Sequence, residues 1–205
     1  GLLSNLVDLD LRMNQIKSLP KSIGKLKKLK ILKLTNSKIT SFPESFGDLT
    51  SLEYLQITIT EFTTLPKSIG KLKNLKSINI SSSKLTKIPE SIGDLSSLEE
   101  LMLGGNKITV LPKSIGNLAN LKTLFLTDNQ LTVLPSSVGN LKKLKKLNID
   151  NNQFKNLPES IGKLSSLRDL SAGGNALILL PEQITDLNQL TQLDLSSNQL
   201  KTLPT

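Results

Sequence analysis

All nine prolines of this chain stand in one register: Pro20, Pro43, Pro66, Pro89, Pro112, Pro135, Pro158, Pro181 and Pro204, each 23 residues after the last. No insertion or deletion interrupts the series. A fixed period between 20 and 50 residues is the mark of a chain built from stacked units, each too small to bury its own apolar face. The 205 residues therefore read as one solenoid domain, 1–205, of about nine repeats, with no linker and no low-complexity tract.

Counting from each proline, seven slots are apolar: 14, 11, 9, 4 and 1 residues before it, and 3 and 6 after it. The repeat at Pro112 shows them as Leu98, Leu101, Leu103, Ile108, Leu111, Ile115 and Leu118. Every occupant of this frame in the chain is apolar, and only Ala172 is small. That strictness specifies a core. Within the frame, the xLxL stretch alternates with period two and predicts a short strand buried on one face. The P-x-S-I-G stretch predicts a turn of helix, proline fitting its start and glycine offering flexibility four residues on.

The repeat reads LxxLxLxxN, an apolar residue, then LPxSIGxLxxL, as in Leu121-Lys122-Thr123-Leu124-Phe125-Leu126-Thr127-Asp128-Asn129 followed by Leu134-Pro135. This resembles the leucine-rich repeat family over the whole chain. Within it, the chain is similar to the 23-residue type of bacterial repeat proteins, plant intracellular Ras-group proteins and Scribble-like scaffolds. The resemblance implies an α/β solenoid: a right-handed horseshoe, with a parallel β-sheet on its concave face and short helical or 3₁₀ turns on its convex face. It also implies that the Asn six residues before proline, present as Asn14, Asn106, Asn129, Asn152, Asn175 and Asn198, points inward and bonds the backbone of adjacent turns. Ser37, Thr60 and Ser83 take that slot in the second to fourth repeats. A hydroxyl replaces only part of an amide's bonding, so water or local rearrangement is expected there.

Both ends of the sequence read as repeat cores without polar caps, which such arrays normally need. The expectation is a piece of a longer array, and a signal peptide stays an open question. No run of 18 apolar residues exists, so no membrane span is expected. The absence of cysteine sets the chain apart from Cys-capped extracellular relatives and points to an intracellular or bacterial protein. Near-identical, Lys-rich repeats tilt this toward a bacterial secreted or surface protein, with a cytoplasmic one as the alternative.

Histidine is absent too. The usual general base, the thiolate nucleophile and the commonest zinc ligands are missing together, and no enzyme activity or cofactor is expected. Recurrent serines after proline (Ser22, Ser45, Ser68, Ser91, Ser114) suit a turn or cap. Asp128, Asp150 and Asn151 share a stretch of adjacent repeats and resemble a weak Ca²⁺ set; without fixed spacing they read as a solvated acidic edge.

The net charge of +9 comes mostly from Lys, clustered on turn-to-strand connections such as Lys142–Lys146. Aromatics do not interleave with these clusters, as single-strand nucleic-acid binding requires, and a solvated basic surface is the expectation. The first turns alternate in sign, KSIGK against ESFGD, and residues 21–66 resemble 67–112 closely enough to suggest a 46-residue duplication.

Function is then expected from side chains on the concave sheet. Residues 12, 10 and 8 before each proline form three columns. Among them stand Ile31, Tyr54, Glu100, Thr123 and Lys146 in the first, Lys33, Gln56, Asn79, Met102, Phe125 and Asn148 in the second, and Asp150 in the third. The columns hold six acidic residues and three basic ones, which argues against nucleic acid in the groove. Tyr54, Met102 and Phe125 are large apolar residues outside the core frame and are the expected anchors for another protein. At about 4.8 Å per strand the face offers roughly 600 Å², approaching the roughly 800 Å² per partner of a standard interface. Two other outcomes are end-to-end self-association through open ends and an intracellular signalling scaffold.

Overall fold

The computed structural model describes residues 3–204. Nine three-residue strands form one parallel sheet in chain order, from β1 (Asp8–Asp10) through β5 (Glu100–Met102) and β6 (Thr123–Phe125) to β9 (Gln192–Asp194). Each strand is the xLx segment singled out by its period-two alternation. Register keeps equivalent positions side by side, so that Met102 pairs with Asn79 on one side and Phe125 on the other.

The predicted turns are 3₁₀, each five residues long, from Lys21–Lys25 to Glu182–Asp186. Each begins one residue after a proline, whose ring holds φ near its intrinsic value; at Pro112 φ is −66°. The proline carbonyl accepts the first turn bond, Ile115 N–H to Pro112 O at 3.1 Å. Sheet and turns enclose one continuous apolar core. Frame residues of interior repeats are buried, Ala172 among them. Several of those in the first and last repeats are only half-covered (Leu6, Leu9, Leu190, Leu195), and Leu193 and Leu203 are exposed.

The glycine after S-I serves a purpose other than the flexibility expected of it. A Cβ on Gly47, Gly93 or Gly116 would lie 2.3 Å from the backbone oxygen of the serine 21 residues later. Glycine lets successive turns touch backbone to backbone. Thr185 takes the slot where no described turn packs against it. The recurrent serines are the other half of this contact: Ser45 and Ser137 donate to the carbonyls of Lys21 and Lys113 at 2.7 and 2.6 Å. The hydroxyls of Ser68, Ser91, Ser114 and Ser160 are buried without a partner among the described residues, and no turn has a side-chain cap bond, so the serines occupy the turns without capping them.

From the fifth repeat on, the ladder asparagines bond the backbone of adjacent turns. Asn106 Nδ2 donates to Ile80 O and Leu103 O at 2.6 and 2.9 Å, and its Oδ1 accepts from Leu85 N–H at 3.0 Å. Asn129, Asn152, Asn175 and Asn198 repeat the pattern, whereas Asn14 bonds only its own turn. In the second to fourth repeats the rearrangement is local. Ser37 keeps one bond, to Leu34 O at 3.0 Å, and the hydroxyls of Thr60 and Ser83 pair with each other at 2.9 Å. The only aromatic stacking in the described core sits in this stretch, Phe42 against Phe46 at 4.0 Å with Phe62 4.9 Å away.

The residue before the ladder position has positive φ in every repeat, yet only Gly105 and Gly174 are glycine. Asn, Asp and Ser tolerate this region; Ile59, at φ 56°, is β-branched and strained there. Its side chain is 58% exposed, so little burial offsets the strain. Ile59→Asn is expected to stabilise the protein by about 1 kcal/mol, read as a higher urea midpoint. A lower midpoint would mean that its side-chain contacts matter more than backbone strain.

Candidate functional site

The parallel register turns the three sequence columns into rows of touching neighbours on the concave face. Met102 and Phe125 are direct partners on β5 and β6. Ile31 and Tyr54 are partners two strands away in the other column. The expected anchors thus form two apolar pairs rather than one patch. All four side chains are half-buried, because strand neighbours only about 4.8 Å apart shield one another. Lys33, Gln56, Asn79, Thr123, Asn148 and Asp150 are half-buried as well, while Glu100 and Lys146 are exposed.

The face is not uniformly acidic, because its charges pair. Lys33 lies 3.8 Å from Asp8 and Lys146 3.4 Å from Asp169. Arg12 binds Asp10 through two nitrogens and, as the largest cause, holds that carboxyl down at about 2. Glu100, Asp150 and Asp194 remain without cationic partners and give the face its negative excess. Glu100 accepts from the Ser77 hydroxyl at 3.1 Å. Asp150 is fully engaged: it accepts from Ser171 Oγ at 2.8 Å and Gly173 N–H at 2.7 Å. Its neighbour Asp128 accepts from Asn151 Nδ2 at 2.9 Å. The acidic edge is a hydrogen-bonded network.

Thr127 Oγ1 donates to Asn148 Oδ1 at 2.5 Å, and the same oxygen accepts from Asp150 N–H at 2.9 Å. This fixes the Asn148 side chain beside Phe125 and leaves its NH₂ free of intramolecular bonds in the described structure. The result is a rigid surface with an apolar pair flanked by amides.

Many lysines prove to be structural. Lys27, Lys73 and Lys142 reach across to the last carbonyls of the next turn, Asp48 O, Asp94 O and Lys163 O, at 2.7 to 2.8 Å. Where the chain enters each strand, Lys30, Glu53, Lys76, Glu99 and Lys122 make an alternating column. Glu53 bridges Lys76 at 2.7 Å and Lys30 at 2.9 Å, and Glu99 meets Lys122 at 2.7 Å. Bonds from Lys76 first, then Lys30, lower the Glu53 carboxyl from 4.5 to about 2. A depressed carboxylate contributes stability above its unfolded pKa and loses it as the folded form protonates. Stability should therefore fall more between pH 4.5 and 2 in the wild type than in Glu53→Gln at low salt. The group is exposed, so the difference should shrink when salt screens the column. Parallel acid profiles of the two proteins would refute a role for this bridge.

Two apolar residues went unnoticed in the sequence. Val110 and Val133, two residues before successive prolines, are 68% and 65% exposed on the flank between ladder and turn. The signal was there: this slot holds Ser18, Ser41, Thr64 and Lys87 before the two valines and Asn156 directly after them.

No helix among the described residues is long and apolar enough to cross a membrane, and no cluster of three or more metal-ligating side chains forms among them. Fold and face together define a rigid repeat scaffold. The chain belongs to the leucine-rich repeat family: it matches the leucine-rich repeat region over residues 98–176 and leucine rich repeats over 4–62, 54–108 and 189–205. No curated protein matches the chain. Among solved structures, a leucine-rich-repeat protein of Leptospira interrogans is 40% identical over 98% of this chain and 51% of its own, with a TM-score of 0.92. The chain thus spans about half the length of that relative. The ectodomain of the Arabidopsis thaliana receptor kinase GASSHO1/SCHENGEN3, solved with CASPARIAN STRIP INTEGRITY FACTOR 2, is 30% identical over 98% of this chain and 26% of its own, TM-score 0.83. The functional domain of InlJ from Listeria monocytogenes is 26% identical over 98% of this chain and 41% of its own, TM-score 0.84. That domain includes a cysteine ladder; this chain has no cysteine.

Proposed function

We propose that this chain is a non-enzymatic interaction module that holds a protein or peptide on its concave sheet. The observation that carries the proposal is the Met102–Phe125 pair, presented in register on a rigid sheet and flanked by Asn79 and Asn148. Aromatic residues and methionine are enriched at interface cores, and amides beside them supply orientation. Tyr54 and Ile31 provide a second contact, and the unpaired Glu100 favours a partner with a basic rim. The complex of the receptor ectodomain with CASPARIAN STRIP INTEGRITY FACTOR 2 supports the ligand class. The likeness to the Leptospira protein supports a bacterial setting; within it, our reading is of a secreted or surface protein that meets host proteins.

The test is capture from host and native lysates with the wild type beside the Tyr54→Ala, Met102→Ala, Phe125→Ala triple variant. A partner should be held by the wild type and at least about ten-fold more weakly by the variant, as expected when roughly 1.4 kcal/mol or more is lost from hot-spot side chains. Equal capture by both would refute concave recognition. Sedimentation at rising concentration separates partner binding from end-to-end self-association.

A further inference from the structure

We infer a second binding site, on the flank between ladder and turn, that takes an extended acidic–apolar peptide segment of a partner protein. It is built around Val110 and Val133, the exposed valines of neighbouring repeats. Two shallow grooves of about 560 and 540 Å³ meet at Val133 and together cross the flank from Thr86 to Pro158. Pro112 and Pro135 edge the first groove and Pro158 the second. Proline rings add apolar surface and offer no N–H, so the walls are stiff and weakly hydrated.

Charge selects the occupant. Lys87 and Lys113 line the first groove and Lys155 the second, and none of them is in an ion pair among the described residues. The one acid present, Glu90, already accepts the Ser114 N–H at 3.1 Å. An apolar floor with unpaired cations around it complements a segment that carries both apolar residues and carboxylates. A basic or purely polar segment finds no partner there.

The backbone indicates an extended occupant. At three junctions on this flank adjacent repeats bond directly: Thr63 N–H to Thr40 O, Thr86 N–H to Thr63 O and Ile178 N–H to Lys155 O. The equivalent N–H groups of Thr109, Thr132 and Lys155, which line the two grooves, make no such bond among the described residues, and neither does that of Thr40. Free donors next to an apolar strip suit a chain with carbonyls exposed along its length. An extended segment puts alternate side chains on one face roughly 7 Å apart. Two apolar residues separated by one position then reach successive repeats, and acidic neighbours reach the lysines. The concave face plays no part in this site.

The probe is a capped eight-residue peptide of alternating leucine and glutamate, with a lysine-for-glutamate counterpart as control, titrated into ¹⁵N-labelled chain. The acidic peptide is expected to shift the amide signals of residues 109–110 and 132–133 and the basic one to leave them in place. Val110→Ser with Val133→Ser restores the residue found at Ser18 and Ser41 in the same slot, so folding is preserved; it should weaken binding at least ten-fold. Lys87→Ala with Lys155→Ala should weaken it several-fold and flatten its salt dependence. The Tyr54, Met102, Phe125 triple variant should bind the peptide as the wild type does, which separates this site from the concave one. Equal shifts with both peptides, shifts confined to the sheet, or no shift at millimolar peptide would overturn the proposal.

Discussion

Asn129→Ala is expected to lower the unfolding free energy by about 3 kcal/mol. The side chain makes four hydrogen bonds across two repeats: Nδ2 to Leu103 O, Leu126 O and Thr127 O, and Ile108 N–H to Oδ1. They are not equivalent. Leu103 O also accepts from Asn106, Leu126 O from Asn152, and Thr127 O from Gly105 N–H. Truncation weakens these carbonyls without orphaning them. Ile108 N–H has no second acceptor, and Ile108 is fully buried, so that one donor carries the full desolvation cost of about 1–3 kcal/mol. The void left by the amide and the three lost carbonyl bonds supply the rest.

Asn129→Ser should cost about half as much, since Ser83 keeps its repeat folded with hydroxyl contacts at 2.9 to 3.5 Å. In an array where each unit touches only its neighbours, the weakened junction should also broaden the urea transition. A loss below about 1 kcal/mol, with unchanged cooperativity, would mean that water replaces the amide and the ladder is not what couples the repeats.

The sequence reveals the core, the strands and their register for a physical reason. Burial imposes period two on Leu101 and Leu103 and a fixed phase on every proline, and both rules act locally. The side-by-side rows of the concave face follow from the same register, so counting residues from proline is enough to put Met102 and Phe125 on one column. Their partial burial does not follow from counting, because it depends on how closely neighbouring rows shield each other. The change from Ser18 and Ser41 to Val110 and Val133 in one slot is visible in the sequence, but their exposure on the flank depends on how the turns and ladder pack around them. The positive φ of Met13 and Ile59 is hidden by their side chains, which ordinarily avoid that region. For Gly116 the sequence shows a recurrent slot in the array, but the reason lies 21 residues away, on the next turn.

That reason sets the second large effect. Gly116→Ala would place a Cβ 2.3 Å from Ser137 O, 2.7 Å from Ser137 Cβ and 2.9 Å from Ser137 C. Backbone cannot rotate aside as a side chain can. The two turns would have to part by roughly 1 Å to reach the 3.4 Å of ordinary contact. Such a shift breaks the Ser137 Oγ bond to Lys113 O at 2.6 Å and loosens Ile115 and Val138 in the core below. The sheet cannot follow, since Thr123 and Lys146 on the opposite wall stay at hydrogen-bonded spacing. Strain therefore concentrates at one junction, and a loss of about 3 kcal/mol is expected, the upper part of the range for overpacking. Gly104→Ala is the control: its Cβ would meet Thr127 O at 3.3 Å and Thr127 Cβ at 3.9 Å, in a backbone conformation open to any residue, and should cost less than about 1 kcal/mol. Chemical denaturation of the two variants decides the matter. Equal, small losses would show that the turns slide apart freely and that glycine is there for chain flexibility after all; a large loss confined to Gly116→Ala would establish backbone contact between turns as the constraint that fixes this slot.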